Sequence, residues 1–231
     1  MKKKLDYVDT VYNVKTKPYT DYPKKLIEHL HKMLNMKNNE KILELGCGRG
    51  EFINSFIEKG LDGYGLDISD NSKKKFPNIK LNISDIMKEK TLPYEDSKFD
   101  YIFSKSFIEH FYDAEFIFQE MYRILKTNGI LLTLTPDWED NYKMFYDDFT
   151  HKRPFTLESL KNIHKINNFE IIKIYKFKQL PSTWHKNYFI RNLAKIFSEL
   201  TKYLTPPMLK QKSRWIRFSK ETMLISIAKK L

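Results

Sequence analysis

The stretch Lys41-Ile42-Leu43-Glu44-Leu45-Gly46-Cys47-Gly48-Arg49-Gly50 decides the fold. A short branched-aliphatic run that ends in three alternate glycines reads as a buried strand turning sharply into a helix. Glycine alone takes positive φ at no steric cost and lets a ligand approach the backbone. Residues 51–59 carry helical spacing and Gly60 closes them. Gly63-Tyr64-Gly65-Leu66-Asp67 then reads as a second strand, ending in a carboxylate about 20 residues beyond the glycines. A helix N-terminus beside glycines, with an acid able to accept ribose hydroxyls, describes half of a nucleotide-type site. The spacing is G-x-G-x-G with Glu51 following, so a dinucleotide pyrophosphate would meet an acidic side chain. A ligand with a ribose and no phosphates fits better.

Outward from this unit, strand-like and helix-like segments alternate from about residue 23 to 175, which argues for a parallel α/β sheet. A first helix is expected over 23–36, with Leu26, Ile27, Leu30 and Leu34 on one face. Further strands are expected at 79–82, 101–104, 130–135 and 169–175, and helices at 114–125 and 157–166. Asn128-Gly129 is read as the stop of the former helix and Thr156 as the cap of the latter. Beyond Phe177 come two amphipathic stretches, 185–204 and 210–220, separated by Pro206-Pro207, before an apolar strand at 223–228. The predicted organisation is an arm and first helix (1–36), a core (37–176), a basic helical insertion or lid (177–221) and a final strand (222–231). The expected class is α/β: a Rossmann-like, doubly wound, mostly parallel seven-stranded sheet with a helical insertion before its last strand.

The chain has 231 residues, 41% hydrophobic, with 41 Lys+Arg against 29 Asp+Glu and a single cysteine. That is enough apolar material for one core, and Cys47 alone cannot form an internal disulfide. No apolar run follows the basic start and none reaches the ~20 residues of a membrane span, so a soluble, cytoplasmic protein is expected. The charge is lopsided: residues 176–231 hold 13 Lys+Arg and 2 acids, while the first 175 hold 28 and 27.

Four stations in order resemble the class I S-adenosylmethionine (SAM)-dependent methyltransferases: Glu44 to Gly50, Asp67, Ser84-Asp85-Ile86, and Phe99 to Ser104 running into Phe107-Ile108-Glu109-His110. The resemblance implies SAM as cofactor. Gly46, Gly48 and Gly50 would then border its methionine part, with Glu44 and Cys47 also among the cofactor-binding residues and Cys47 a small filler and not a nucleophile. Asp67 would bind the ribose with Ile68 beside it, Asp85 the adenine amino group, Ile86 one adenine face, and Ser104 would line the transfer site. The stretch from Asp147 to Thr156 resembles a D-x-x-H-x-x-x-F-T loop of small-molecule methyltransferases. His110 and His151 are the candidate catalytic bases, and Glu109 and Arg153 the candidate acceptor contacts. The rival reading makes the two histidines a helix-start cap and a loop-ordering residue. Scattered histidines and one cysteine predict no metal centre.

No Asn-Pro-Pro-Tyr-type motif follows Phe103, so oxygen is the expected acceptor atom. The acceptor is expected to be small and anionic or sugar-containing, in a protein similar to those of bacterial surface-polysaccharide pathways. A quinone or lipid methylase, an RNA methylase and a non-catalytic SAM-binding adaptor are the alternatives. For residues 185–220 the readings are a lid, a peripheral membrane contact, a nucleic-acid surface (disfavoured, with no recognisable module), or a helix whose apolar face packs on the sheet. The aromatic stretch 12–23 is read either as a flap over the cofactor or as a surface arm.

Overall fold

In the computed structural model the described residues are 14, 17–206, 209 and 213–231. The expectation for the arm before residue 17 and the first part of the 210–220 helix fall outside them. The elements run α1 (Tyr22–Leu34), β1 (Lys41–Leu45), α2 (Glu51–Ile57), β2 (Asp62–Asp67), α3 (Asn71–Lys75), β3 (Lys80–Ile83), α4 (Ile86–Glu89) and β4 (Phe99–Lys105). They continue with α5 (Ala114–Ile124), β5 (Leu125–Pro136), α6 (Trp138–Asn141), α7 (Leu157–Ile166), β6 (Phe169–Lys178), α8 (Tyr188–Leu204), α9 (Arg214–Lys220) and β7 (Thr222–Lys230).

The seven strands form one sheet in the order β3-β2-β1-β4-β5-β7-β6, with β7 antiparallel to both its neighbours and the other pairings parallel. Order reverses between β1 and β4, and ligands of open α/β sheets bind at the carboxyl ends of strands at such a point. β1 pairs there with β4 through Leu45 and Ser104.

Two apolar layers cover the sheet. On one face Leu26, Ile27 and Leu30 of α1 and Ile53 and Phe56 of α2 pack on Phe103 and Leu132. On the other, α5 buries Ala114, Ile117, Phe118, Met121 and Ile124, at the i, i+3, i+4, i+7 spacing of one helical face. Each such large side chain contributes about 1.5–3 kcal/mol by leaving water. Thr156 caps α7 in a reciprocal pair with Ser159.

Two boundaries and one packing arrangement differ from expectation. α1 ends at Leu34, because Asn35 (φ 50°) closes it in the left-handed conformation. α5 ends at Ile124, not at Asn128-Gly129: extended backbone begins at Leu125, and the left-handed Asn128 (φ 64°) lies within β5. The insertion also does not pack as an ordinary amphipathic helix. In α8 only Ala194 and Ser198 are buried, while the large apolar side chains face outward. Among the described residues no helix is long and apolar enough to cross a membrane.

Candidate active site

The turn after β1 is shaped by backbone. Gly46 and Cys47 donate their N–H groups to the Leu66 carbonyl (2.8 and 3.1 Å), which binds the turn to β2. Gly46, Gly48 and Gly50 have φ of 68°, 49° and 79°. A Cβ at Gly46 would lie 2.5 Å from the Phe107 ring, whereas a Cβ at Gly48 would meet nothing within 4 Å. Gly48 therefore opens onto free space. Gly50 precedes α2, and the buried Glu44 carboxylate accepts the Ile53 N–H (2.8 Å), satisfying a donor of that helix's first turn. Burial pushes the Glu44 carboxyl well above the usual range. The Cys47 thiol is pushed up by burial too, and is a poor nucleophile.

Asp67 accepts Gly48 N–H (2.8 Å) on Oδ2, and Ser69 N–H and Oγ–H (each 3.0 Å) on Oδ1, so its carboxylate is fixed at the mouth of the turn. A cavity of about 500 Å³ lies above it. Glu44, Gly46, Cys47, Gly48, Asp67, Ile68, Asp85 and Ile86 all line it. Asp85 is turned toward Lys88 (2.8 Å), whose ammonium holds the carboxyl below the ordinary value. Ile68 and Met87 are exposed on the wall, an apolar surface for a flat ring.

Two of the expected cofactor positions stand apart. Gly50 is not on the cavity wall: a Cβ there would strike Ile79 and Ser72 at 2.7 and 2.8 Å, so this glycine serves packing. Ser104 is fully buried within β4, outside the cavity, and Lys105 and Ser106 take its place. The pairing of β4 with β1 ends at Ser104, and the residues that follow reach the crevice.

The far end of the cavity carries Lys105, Ser106, Phe107, His110, Phe149 and Thr150. Burial, then the nearby Arg217, lower Lys105 to about 8, and among the described residues it has no ion-pair partner within 4 Å. His110 Nδ1 lies 2.9 Å from Thr150 Oγ1, whose single proton goes to Asp148 (2.5 Å). In that contact Nδ1 is therefore the donor, and the ring also bonds the backbone of Thr150 and Ser106. Burial, then His151, lower the His110 pKa, against opposing contributions from Asp148 and the Thr150 and Ser106 backbones.

His151 stands behind His110, off the cavity wall, with ring centroids 4.9 Å apart. Its Nδ1 donates to the Phe145 carbonyl (2.6 Å). Glu109 is fully buried, and its Oε2 accepts from Thr135 (3.0 Å) while burial raises the carboxyl to about 7. The structure thus gathers Glu109, His110 and His151, with ligand-type atoms within 4.8 Å of one another, a grouping the sequence reading missed. Arg153 lies outside the cavity and spends its guanidinium on the Tyr112 carbonyl (2.5 and 3.1 Å).

Arg49, unforeseen, pairs with Glu51 at 2.5 Å on the cavity wall, holds the Lys17 carbonyl at 2.6 Å and covers the Tyr19 ring. That contact brings the described end of the aromatic stretch over the cofactor turn. Glycines flagged the turn, but no local pattern announces Lys105 or Thr150, which only the chain's return after β5 brings together.

Residues 19–174, more than half of the chain, match the profile of the methyltransferase domain family, and the chain belongs to that family. It is similar to phosphoethanolamine N-methyltransferase 2 of Caenorhabditis elegans, with 27% identity over 145 residues, 58% of this chain and 32% of that protein. It is also similar to the ubiquinone biosynthesis O-methyltransferase of Pelagibacter ubique, with 30% identity over 101 residues and 42% of each chain. The chain thus spans less than half the length of these two relatives. The fold is that of a SAM-dependent methyltransferase from Archaeoglobus fulgidus: TM-score 0.65 over 97% of this chain and 100% of that one, at 23% identity.

The cofactor is SAM, and the cavity fits it. The open space over Gly48 and the fixed Asp67 carboxylate suit a ribose, Ile68 and Ile86 suit a purine, and the acidic floor suits a cation without phosphates.

Proposed function

We propose that the protein transfers a methyl group from SAM to an oxygen of a small anionic or sugar-containing acceptor. A phosphorylated or nucleotide-activated precursor of a surface polysaccharide, handled in the cytoplasm, is the acceptor class that fits. The observation that carries the reading is one continuous cavity with the glycine turn and Asp67 at one end and Lys105 and His110 at the other. Bound SAM supplies an electrophilic methyl on a sulfonium.

The chain's own part is positioning, worth roughly 7–11 kcal/mol when two reactants are held in line, and proton removal, worth about 10²- to 10⁴-fold. His110, on the cavity wall and held by Thr150 and Asp148 with its pKa lowered by burial, is the imidazole suited to accept the hydroxyl proton. Lys105 offers a positive charge to an acceptor anion. Phe107, Phe111 and Phe149 give this end of the cavity an apolar wall. A quinone or lipid acceptor is the second reading, favoured by the outward apolar face of α8.

The test is a titration with S-adenosylhomocysteine, followed by transfer of labelled methyl to panels of phosphorylated sugars and hydroxylated quinones. Micromolar binding with turnover confined to the phosphorylated panel supports the anionic acceptor, and turnover confined to quinones overturns it.

A further inference from the structure

Helix α8 runs 17 residues, about 25 Å, with its polar side toward the protein. Lys202 pairs with Asp140 (2.9 Å), Glu199 with Lys178 (2.9 Å), and Thr201 accepts from the Trp215 indole (2.9 Å). The opposite side is a continuous stripe at helical spacing: Phe189, Leu193, Ile196, Phe197, Leu200 and Leu204, with Phe189 76% and Leu204 78% exposed. A helix that docks by ion pairs and turns its apolar stripe to solvent has surplus apolar surface that water does not favour.

The charge around the stripe identifies what covers it. Glu199 is the one acid in α8, and it is already paired. Lys186 is exposed just ahead of the helix, and Lys195 is exposed on the helix's polar side. Beside the helix a cavity of about 820 Å³ opens between α8, β6 and α1, with Lys173, Arg191 and Lys195 on its wall. Among the described residues these three make no ion pair within 4 Å. A second copy of the chain would bring like charges together across a symmetric contact, in a molecule of net charge +12. An anionic bilayer answers both features, taking the stripe into its interface and the cations at its headgroups.

We propose that α8 is an interfacial helix that docks the protein on membranes carrying anionic lipid. The inference is independent of the acceptor assigned above.

The full-length protein is floated with phosphatidylglycerol–phosphatidylcholine vesicles, beside phosphatidylcholine vesicles alone. Binding is expected to the mixed vesicles, to weaken with salt, and to fall roughly tenfold or more in Phe189→Ser/Leu193→Ser/Phe197→Ser. Lys186→Gln and Lys195→Gln should each weaken it about fivefold. S-adenosylhomocysteine affinity, unchanged in every variant, shows that they fold. The proposal is overturned if wild-type protein does not float, if the triple variant floats equally well, or if both vesicle types bind alike. It is equally overturned if sedimentation shows a dimer that the triple variant abolishes while vesicles are ignored.

Discussion

The two ends of the cavity are built from different materials. At the cofactor end the chain uses backbone: three left-handed glycines, amides tied to Leu66, and one carboxylate that fastens the turn while facing the ligand. At the far end it uses titratable side chains that follow one another at the end of β4, Lys105, Glu109 and His110, all displaced from their ordinary pKa values chiefly by burial, and closes on them Phe149 and Thr150 from a distant segment. The first end is fixed by backbone hydrogen bonds, with the buried Glu44 carboxyl as part of its floor. The second gathers groups whose protonation burial has moved toward the neutral form. Shared binding and specific chemistry are thereby separated along one cavity.

Substitutions at the two ends should fail in different ways. The largest effect is expected at Gly46→Val, where the new side chain meets the Phe107 ring and a positive φ. Calorimetry should find no measurable S-adenosylhomocysteine binding, while Gly48→Ala, facing open space, folds normally and loses only affinity. At the other end, His110→Ala should lower kcat by about 10²- to 10⁴-fold and leave S-adenosylhomocysteine affinity within about twofold. Equal losses in turnover and cofactor binding would erase the division between the ends. Because burial lowers the His110 pKa, the imidazole is already neutral at pH 7. Rates should therefore fall only as pH drops through that lowered value.

A smaller, purely cofactor-side loss is expected for Asp67→Ala: roughly tenfold weaker binding, since a fixed charge-assisted acceptor is removed. Lys105 sharpens the contrast through pH. Its ammonium is charged below about 8 and loses its proton above, so acceptor KM should rise as pH climbs through about 8. Lys105→Met should show a raised KM without that alkaline dependence. The smallest effect is assigned to Arg153→Ala, whose guanidinium serves the Tyr112 carbonyl outside the cavity. Acceptor KM should hold and stability change by no more than about 0.5 kcal/mol.

The sequence alone determined the alternation of elements, the sheet, the glycine turn and Asp67, because each follows from local physics. Aliphatic runs make buried strands, glycine permits positive φ, and strand-terminal acids sit at the crevice. It also marked His110, which follows β4 directly. Only the tertiary structure decided that Ser104 is interior while Lys105 lines the cavity, and that Arg153 turns away. It alone set Thr150 and Asp148 against His110, from a segment some 40 residues further on. The orientation of α8 was equally invisible. Amphipathic spacing shows that a helix has two faces, but which face meets the protein depends on the partners waiting there. For α8 those partners are the Asp140 carboxylate, the Lys178 ammonium and the Trp215 indole N–H, so the apolar face is the one left to solvent.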